Sequence, residues 1–174
     1  MKLTTKGRYA VTAMLDLALH QASLVDEQIV PVALVDIANR QDISLSYLEQ
    51  LFAKLRREGL VVSSRGTKGG YRIDKPLADI SVARVITAVN EKLDTTKCGG
   101  AKNCHGPNST CLTHDLWTSL GDYIYSYLDK ISLADLAADH CDQQDKQATD
   151  KVVLFADGDL ALSNINADNA KAVS

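Results

Sequence analysis

The segment CGGAKNCHGPNSTCLTH, residues 98–114, constrains the fold of this chain more than any other. Three cysteines and the last histidine of this segment, His114, lie within seventeen residues at the spacing C-x5-C-x6-C-x2-H. Most residues between them are Gly, Asn, Pro, Ser, Thr and Lys, which favour turns and cannot fill a hydrophobic core. The loop therefore needs another source of order, and a bound metal can supply it. The spacing predicts a metal or cluster site with four candidate ligands: Cys98, Cys104, Cys111 and His114.

A disulfide is the alternative use of these cysteines. The chain opens with MKLTTKGRYAV, which lacks the long apolar stretch and small-residue cleavage site of a signal peptide. We therefore expect a cytoplasmic protein, in which disulfides are disfavoured. Three cysteines and one histidine are a common ligand set for structural zinc, whereas iron–sulfur clusters more often use four cysteines. The residues alone leave the choice of metal open.

The net charge of −3 is unevenly distributed along the 174 residues. Residues 1–75 carry eleven Lys and Arg against eight acids, a net charge of +3, whereas residues 76–174 have a net charge of −6. A basic N-terminal half can face nucleic-acid phosphates, although +3 alone is a weak indication. No run reaches the roughly eighteen apolar residues of a membrane span, so we expect no membrane partner.

The first sixty residues predict three helices, of which the second and third form a helix-turn-helix. Apolar residues at three- and four-residue steps predict a first helix, capped by Thr4 or Thr5 and ending near Gln21. Residues 23–31 are expected to be a loop, with at most a short strand. A short helix around residues 34–38 and a tight turn at 41–43 then precede a helix that Ser44 or Ser46 caps.

The second helix of such a motif presents its N-terminal residues to base edges. We expect it to bury Leu48, Leu51, Phe52 and Leu55 and to end at Gly59. An ordinary helical hairpin with solvated charges is the alternative. The candidate DNA contacts at its start are Ser46, Tyr47, Glu49 and Gln50, and the cations further along are Lys54, Arg56 and Arg57.

A β-hairpin is predicted directly after this helix. Residues 60–63 and 71–73 are β-rich, and RGTKGG between them is a glycine-rich turn with two cations. The hairpin is the wing of a winged helix, and Arg65 at its base can enter a narrow minor groove. The alternative, a nucleotide-binding loop, lacks the P-loop spacing.

A long helix is predicted to follow the cysteine loop, after a short strand at Ile80 and a helix that Ser81 caps and that runs to about Lys92. Apolar residues recur at three- and four-residue steps over about 30 Å, beside Trp117. We interpret this seam as a subunit interface, with packing against the first helix as the alternative. The interface residues are Leu112, Leu116, Leu120, Tyr123, Ile124, Tyr127, Leu128 and Ile131.

The predicted fold class is therefore mostly α with a small β wing: a winged helix-turn-helix DNA-binding domain plus a long dimerisation helix. The domains are 1–78 for DNA binding, 79–97 for a connecting strand and helix, and 98–114 for the loop. Residues 112–140 form the dimerisation helix and a short C-terminal helix capped by Ser132, and 141–174 form an acidic tail expected to be disordered, with a transient strand at 152–155 at most.

Four stretches in fixed order, KGRYAVTAMLDLAL, ISLSYLEQLFAKLR, RGTKGGY and CLTH, closely resemble the IscR family of bacterial iron–sulfur cluster regulators over residues 1–137. The resemblance implies a homodimeric winged-helix transcription factor, not an enzyme, that controls cluster-biogenesis genes from the cytoplasm and nucleoid. It implies a [2Fe–2S] cluster held by Cys98, Cys104, Cys111 and the unusual ligand His114. A histidine ligand is more easily lost than a thiolate, which suits a sensor of cluster supply. Implied partners are double-stranded promoter DNA and cluster donor or scaffold proteins.

The resemblance also implies roles for individual DNA-facing residues. Ser46, Tyr47, Glu49, Gln50 and Arg65 match the family's DNA-facing positions. A carboxylate at Glu49 accepts from cytosine and repels phosphates and base acceptors, so it can exclude one class of site. Regulators of this kind use two promoter classes, one of which requires the cluster, and the loop must then be linked to the recognition helix.

This sequence departs from the family pattern in three places. The gap between Cys104 and Cys111 is one residue longer than in the best-known members. His105 lies beside a ligand and is a weak competitor of His114. Cys141 has no expected counterpart and is interpreted as a bystander thiol. His20 and His140 lie at predicted helix C-termini, and no function is assigned to them.

Two alternatives to the cluster-sensing regulator remain. The first is a winged-helix repressor in which the four ligands hold structural zinc, without sensing. The second is an enzyme that uses Cys111 as a nucleophile and His114 as its base. A third orienting residue and an oxyanion-hole motif are not evident for the enzyme.

Overall fold

The structure, a computed structural model, describes residues 5–21, 30–66, 69–91, 95–96, 98–99, 101–104 and 109–143. Residues 1–137 form one compact unit and residues 138–174 a second, of which 138–143 are described and are helical and exposed. Within the described residues, no helix is both long and apolar enough to cross a bilayer.

The described part of the first unit is mostly helical, as predicted. Its helices are α1 (Thr5–Gln21), α2 (Leu34–Gln41), α3 (Leu45–Arg57), α4 (Val82–Ala88) and α5 (His114–Asp129). Its strands β1 (Val62–Ser64) and β2 (Gly70–Arg72) form a two-stranded antiparallel sheet, and a 3-10 turn covers Leu77–Asp79. Residues 133–137 are again helical.

The core of this unit lies where α1, α3 and α4 meet. The apolar stripe of α1 is fully buried through Ala10, Ala13, Met14 and Leu17, and it packs on the buried face of α3. That face consists of the four residues that the periodicity predicted. They are Leu48, Leu51, Phe52 and Leu55.

The turn between α2 and α3 has the chemistry that the sequence predicted. Asp42 ends α2 in the left-handed conformation, with φ 51°, and its N–H bonds the carbonyl of Ala38. Of the two candidate caps, Ser44 is the N-cap of α3, since its hydroxyl accepts from the Tyr47 N–H at 3.3 Å. Ser46 lies inside the helix. The short turn fixes α2 and α3 as a helix-turn-helix.

The wing is anchored on both sides. Val62 pairs with Arg72 and Ser64 with Gly70, one to two residues away from the predicted strands. Tyr71 also exchanges two backbone hydrogen bonds of 2.8 Å with Val32, so the region before α2 contributes a bridge. A Cβ at Gly70 would lie 2.3 Å from the Val32 carbonyl oxygen, so glycine is required there.

The region after the wing differs from the prediction in its details. The strand expected at Ile80 is a single bridge between Ser81 and Ser132. Ser81 caps α4 as predicted, since its hydroxyl accepts from the Arg84 N–H, but α4 ends at Ala88 because Asn90 adopts φ 59°. Several predicted features lie outside the described residues: Thr4, most of residues 23–31, Lys92, His105 and the tail beyond 143.

The long helix is shorter than its apolar seam. It begins at His114 and ends at Asp129, so Leu112 precedes it and Ile131 follows it. It packs chiefly against α4 rather than against α1, the alternative that the sequence left open. Ser132 caps the following helix through a reciprocal pair of hydrogen bonds with Asp135, as predicted.

Candidate DNA-binding surface and metal centre

The first turns of α3 expose a set of polar side chains. Ser46, Glu49 and Gln50 are exposed, whereas Tyr47 is half-buried and packs edge-on against Tyr9, with ring centroids 6.0 Å apart. Three of the four N-terminal candidates are thus available to a duplex, and the fourth also secures α3 to α1.

The cations later on α3 point in different directions. Arg57 is exposed. Arg56 donates to the Ser63 hydroxyl at 3.3 Å and so joins the helix to the wing. The Lys54 ammonium is directed at α4, where it lies 3.5 Å from the Val89 carbonyl oxygen. Lys54 is seven residues from Tyr47 and therefore shares its inward-facing side rather than that of Glu49.

Arg65 follows β1 directly and is exposed at the base of the wing. Two contacts hold the wing beside α3: the bond from Arg56 to Ser63 and an edge-on ring pair of Phe52 and Tyr71 at 4.9 Å. The recognition helix and the wing are therefore fixed relative to each other, as simultaneous contact with adjacent grooves requires.

Three of the four candidate metal ligands converge. The ligand atoms of Cys98, Cys104 and His114 lie within 4.8 Å of one another. The two sulfurs are 3.3 Å apart, and His114 Nδ1 lies 3.3 Å from Cys104 Sγ and 3.7 Å from Cys98 Sγ. All four cysteines of the chain are free thiols, so the disulfide alternative is not what the structure contains.

The backbone explains how the three ligands meet. His114 is the first residue of α5 and is buried, and its N–H donates to the Cys111 carbonyl at 3.0 Å. Gly99 and Lys102 have φ 62° and 56°, and these left-handed residues turn the chain between Cys98 and Cys104. The rigid start of α5 thus fixes the imidazole, and the loop brings the thiols to it.

Cys111 lies beside this trio rather than within it. Its backbone N–H favours ionisation of the Cys104 thiol, and its own sulfur lies 3.8 Å from the Thr113 hydroxyl. The Trp117 indole donates to the same hydroxyl at 3.1 Å. Since an indole N–H only donates, Thr113 accepts from Trp117 and can direct its own proton at Cys111.

The thiols do not ionise alike. Desolvation raises the pKa of Cys98, but its hydrogen bonds with Cys104, with the Thr96 hydroxyl and with backbone N–H groups outweigh this effect and lower that pKa to about 6. At Cys104 the Cys111 N–H favours the thiolate, yet Cys98, desolvation and Cys111 together raise the pKa. Desolvation also opposes ionisation of Cys111, and the Thr113 hydroxyl and N–H lower its pKa. A thiolate is the form that binds metal, so Cys98 is prepared to do so at neutral pH.

One face of α5 leaves large apolar side chains in water. Leu116, Tyr123 and Tyr127 are 61%, 73% and 59% exposed, and Leu120 is also exposed. Ile124 and Leu128 of the predicted seam are half-buried. An apolar stripe of this length is unusual on a monomer surface.

Sequence reasoning missed the residues that support the ligands. Thr96 and Thr113 each lie two residues from a cysteine, and each places its hydroxyl within 3.8 Å of that sulfur. The Thr95 hydroxyl also bonds the Trp117 carbonyl. The T-x-C and C-x-T spacings could have indicated the two hydroxyls. The role of Trp117 depends on where α5 begins.

Comparison with known proteins identifies the family. The model of the Rrf2 family, described as iron-dependent transcriptional regulators, matches residues 3–139. The chain belongs to the Rrf2 family. Among its relatives in that family, the IscR regulator of Aliivibrio salmonicida is 55% identical over 171 residues, which cover 98% of this chain and 94% of that protein. A putative helix-turn-helix regulator of Azotobacter vinelandii is 59% identical over 138 residues, 79% of this chain and 80% of that protein.

Solved structures of Rrf2-type regulators share the fold. T. potens IscR superimposes with a TM-score of 0.63 and 37% identity, covering 80% of this chain and 88% of that one. CymR, the global cysteine regulator of B. subtilis, superimposes with a TM-score of 0.62 and 31% identity, covering 79% of this chain and 97% of that one. This Rrf2 protein is therefore a winged-helix DNA-binding transcriptional regulator. The resemblance to IscR regulators that its four motifs indicated is confirmed. It is not an enzyme, and the Cys111–His114 hydrolase or transferase alternative is wrong.

Proposed function

We propose that this Rrf2 regulator senses iron–sulfur cluster status through a [2Fe–2S] cluster and controls genes of cluster biogenesis. The observation that carries the proposal is the convergence of Cys98, Cys104 and His114 at the start of α5. Cys111 is the proposed fourth ligand, and its backbone N–H favours the thiolate form of Cys104. Relatives that cover almost the whole chain are named IscR, which supports the same reading.

The donor set fits the proposed group. Thiolates are the usual ligands of such clusters, and an imidazole can replace a thiolate at an iron. His114 is buried and held by the first turn of α5, so its imidazole is oriented before any metal binds. Whether the cluster is present depends on iron, sulfide and oxygen. When it is bound, its ligands order the loop.

Structural zinc is a second candidate, and a specific observation favours it. The three separations of 3.3, 3.3 and 3.7 Å are close to the edges of roughly 3.5–3.8 Å expected for one tetrahedral ion with sulfur and nitrogen ligands. A protein with zinc in this site is a winged-helix repressor without cluster sensing.

Anaerobic purification distinguishes these functions. We would record the visible absorption and measure iron, sulfide and zinc for the wild type, for Cys104→Ser and His114→Ala, and for Cys141→Ser as a control. Cys141 is an exposed thiol outside the ligand set. Equal iron and sulfide with visible colour, lost in the first two variants and kept in the control, supports the cluster. Stoichiometric zinc without colour after reconstitution contradicts it.

The proposed readout of the cluster is site choice on DNA. The protein forms a homodimer through the exposed face of α5 and binds promoter duplexes in that form. The two α3 helices of the dimer then contact half-sites about one turn of DNA apart. The proposed contacts to the duplex come from Ser46, Gln50 and Arg57 on α3 and from Arg65 on the wing. Tyr47, which packs against Tyr9, positions the start of α3. Glu49 is exposed beside Gln50 and rejects one class of site through its carboxylate.

Replacing Glu49 with Ala tests this discrimination. The cluster-free variant should bind duplexes that the cluster-free wild type rejects, as measured by selection from a random-sequence pool. An unchanged set of selected sequences would contradict the role of Glu49. The proposed setting is the bacterial cytoplasm and nucleoid, with cluster donor or scaffold proteins supplying the group.

A further inference from the structure

The end of α4 is attached to the first turn of α1 through a buried carboxylate. Glu91 is 9% exposed and accepts a hydrogen bond from the Gly7 backbone N–H. A Cβ at residue 7 would lie 2.6 Å from Glu91 Oε2 and 3.4 Å from Ile86 Cγ2. The absence of a side chain at Gly7 therefore allows the carboxylate to reach the helix backbone. Glu91 lies seven residues before Cys98 in the chain.

Two lysines from the DNA-binding half hold the two residues before Glu91. Lys6 donates to the Asn90 carbonyl and Lys54, on α3, to the Val89 carbonyl, each at 3.5 Å. The Lys6 ammonium, desolvation and the charge of Arg57 lower the pKa of Lys54. The carbonyls that end α4 are favourable acceptors for both cations. Displacing residues 89–91 would remove these acceptors and alter the restraint on α3.

We propose that residues 89–91 form a junction that transmits the state of the cysteine loop to α3, with Glu91 and Lys54 as its positioning residues. This proposal rests on the proposed function, because it explains how cluster binding changes DNA binding. Lys54 lies about 7 Å from Glu49 along the helix axis. Because α3 is one continuous helix, a displacement at Lys54 would also change how Glu49 enters the groove.

This assignment differs from the role that the sequence predicted for Lys54. A DNA phosphate contact by Lys54 strengthens binding in both states of the loop and contributes about one to the salt slope. A positioning role leaves the salt slope unchanged and alters the ratio of the two affinities. The two roles therefore predict different measurements on the same variant.

The test uses Lys54→Met, which keeps the aliphatic stem and removes the ammonium, and Glu91→Gln, which keeps the shape and removes the charge. Arg57→Met is the comparison, since Arg57 is an exposed cation one turn further along α3. Affinities of the full-length cluster-loaded and cluster-free proteins would be measured over a range of salt concentrations. The DNA is a set of duplexes selected from a random pool by the loaded wild type.

We expect Lys54→Met and Glu91→Gln to reduce the loaded-to-free affinity ratio by roughly threefold or more. The salt slope and the visible spectrum of the bound cluster should match those of the wild type. Arg57→Met should lower the slope by about one and leave the ratio intact. The proposed role of the junction is contradicted if Lys54→Met keeps the wild-type ratio of loaded to free affinity. It is also contradicted if that variant lowers the salt slope by about one. A wild type that shows a cluster but no ratio overturns the sensing function, and the junction with it.

Discussion

Arg40 and Asp16 form a two-pronged ion pair that joins the first helix of the helix-turn-helix to α1. Arg40 Nη2 lies 2.6 Å from Asp16 Oδ1, and Nε lies 3.1 Å from Oδ2. Gln41 donates to the same carboxylate at 2.7 Å. The Asp16 side chain is almost fully buried, so its charge depends on these donors. The pair fixes the position of α2, and through the tight turn that of α3.

Removing this charge should destabilise the fold. Asp16→Asn loses the charge-assisted bonds to Arg40, and we expect the free energy of unfolding to fall by about 2 kcal/mol. Urea denaturation followed by circular dichroism measures the change. Asp74→Asn is the matched control, because Asp74 forms an exposed pair with Arg72 at 3.1 Å and its loss should cost at most ~0.5 kcal/mol. Equal effects of the two variants would contradict the structural role of Asp16.

The same carboxylate predicts a dependence of stability on pH. Burial raises the pKa of Asp16, but the bonds from Arg40 and Gln41 outweigh it, so the folded pKa lies below the ordinary value of 3.8. The unfolded chain therefore binds the proton more tightly, and the stabilisation is complete above about pH 5 and lost as the pH falls through the folded pKa. Unfolding free energies between pH 6 and 3 should fall less steeply in Asp16→Asn than in the wild type.

Thr113 should set the reduction potential of a cluster bound at Cys111. Its hydroxyl lies 3.8 Å from that sulfur and accepts from Trp117, and hydrogen bonds to ligand sulfurs favour the reduced cluster. Thr113→Val should lower the potential by about 40 mV, the one-electron equivalent of a bond worth ~1 kcal/mol. Thr113→Ser should restore it in anaerobic voltammetry. A potential that is equal in all three proteins would exclude the hydroxyl from the cluster's surroundings.

The exposed stripe on α5 predicts the oligomeric state. Replacing both Leu116 and Tyr123 with Gln should give a folded monomer in sedimentation, because these side chains are largely exposed and do not support the core. Operator affinity should fall by more than tenfold when one half-site contact is lost. Tyr125→Gln is the control, since Tyr125 is also exposed but lies on the opposite side of the helix. If the double variant sediments as the wild type does, the stripe is not the dimer interface.

Arg65 should contribute a sequence-independent part of DNA binding. Arg65→Ala removes one exposed cation at the base of the wing, and we expect weaker binding to most duplexes and a salt slope lower by about one. Lys75→Ala, an exposed cation beyond the wing, is the comparison. A wild-type slope in Arg65→Ala would remove the wing from the interface.

The sequence predicted those parts of the fold that depend on burial and turn chemistry. The spacing of Leu48, Leu51, Phe52 and Leu55 reports which side of α3 is buried, and a short turn requires α2 and α3 to be neighbours. Lys54 is different, because its sequence neighbourhood does not reveal that α4 ends beside it. The end of α4 at Ala88 likewise depends on the left-handed conformation of Asn90, which few residues other than glycine adopt.

The candidate site was likewise predicted only in part from the sequence. Three cysteines and a histidine at loop spacing were enough to predict a metal site, because a loop without a core needs another source of order. The meeting of Cys98 and Cys104 with His114, with Cys111 to one side, depends on backbone turns at Gly99 and Lys102 that composition does not specify.

The position of Trp117 has a practical consequence. It is the only tryptophan of the chain, and its indole bonds Thr113, the residue immediately before the histidine of the metal site. The intrinsic fluorescence of the protein therefore originates about one helical turn from the ligands. Iron–sulfur clusters absorb in the range where tryptophan emits, so emission should be quenched on loading and recover as the group is lost. Trp117 would thus report whether the proposed cluster is bound, and its emission can be followed on DNA without a label.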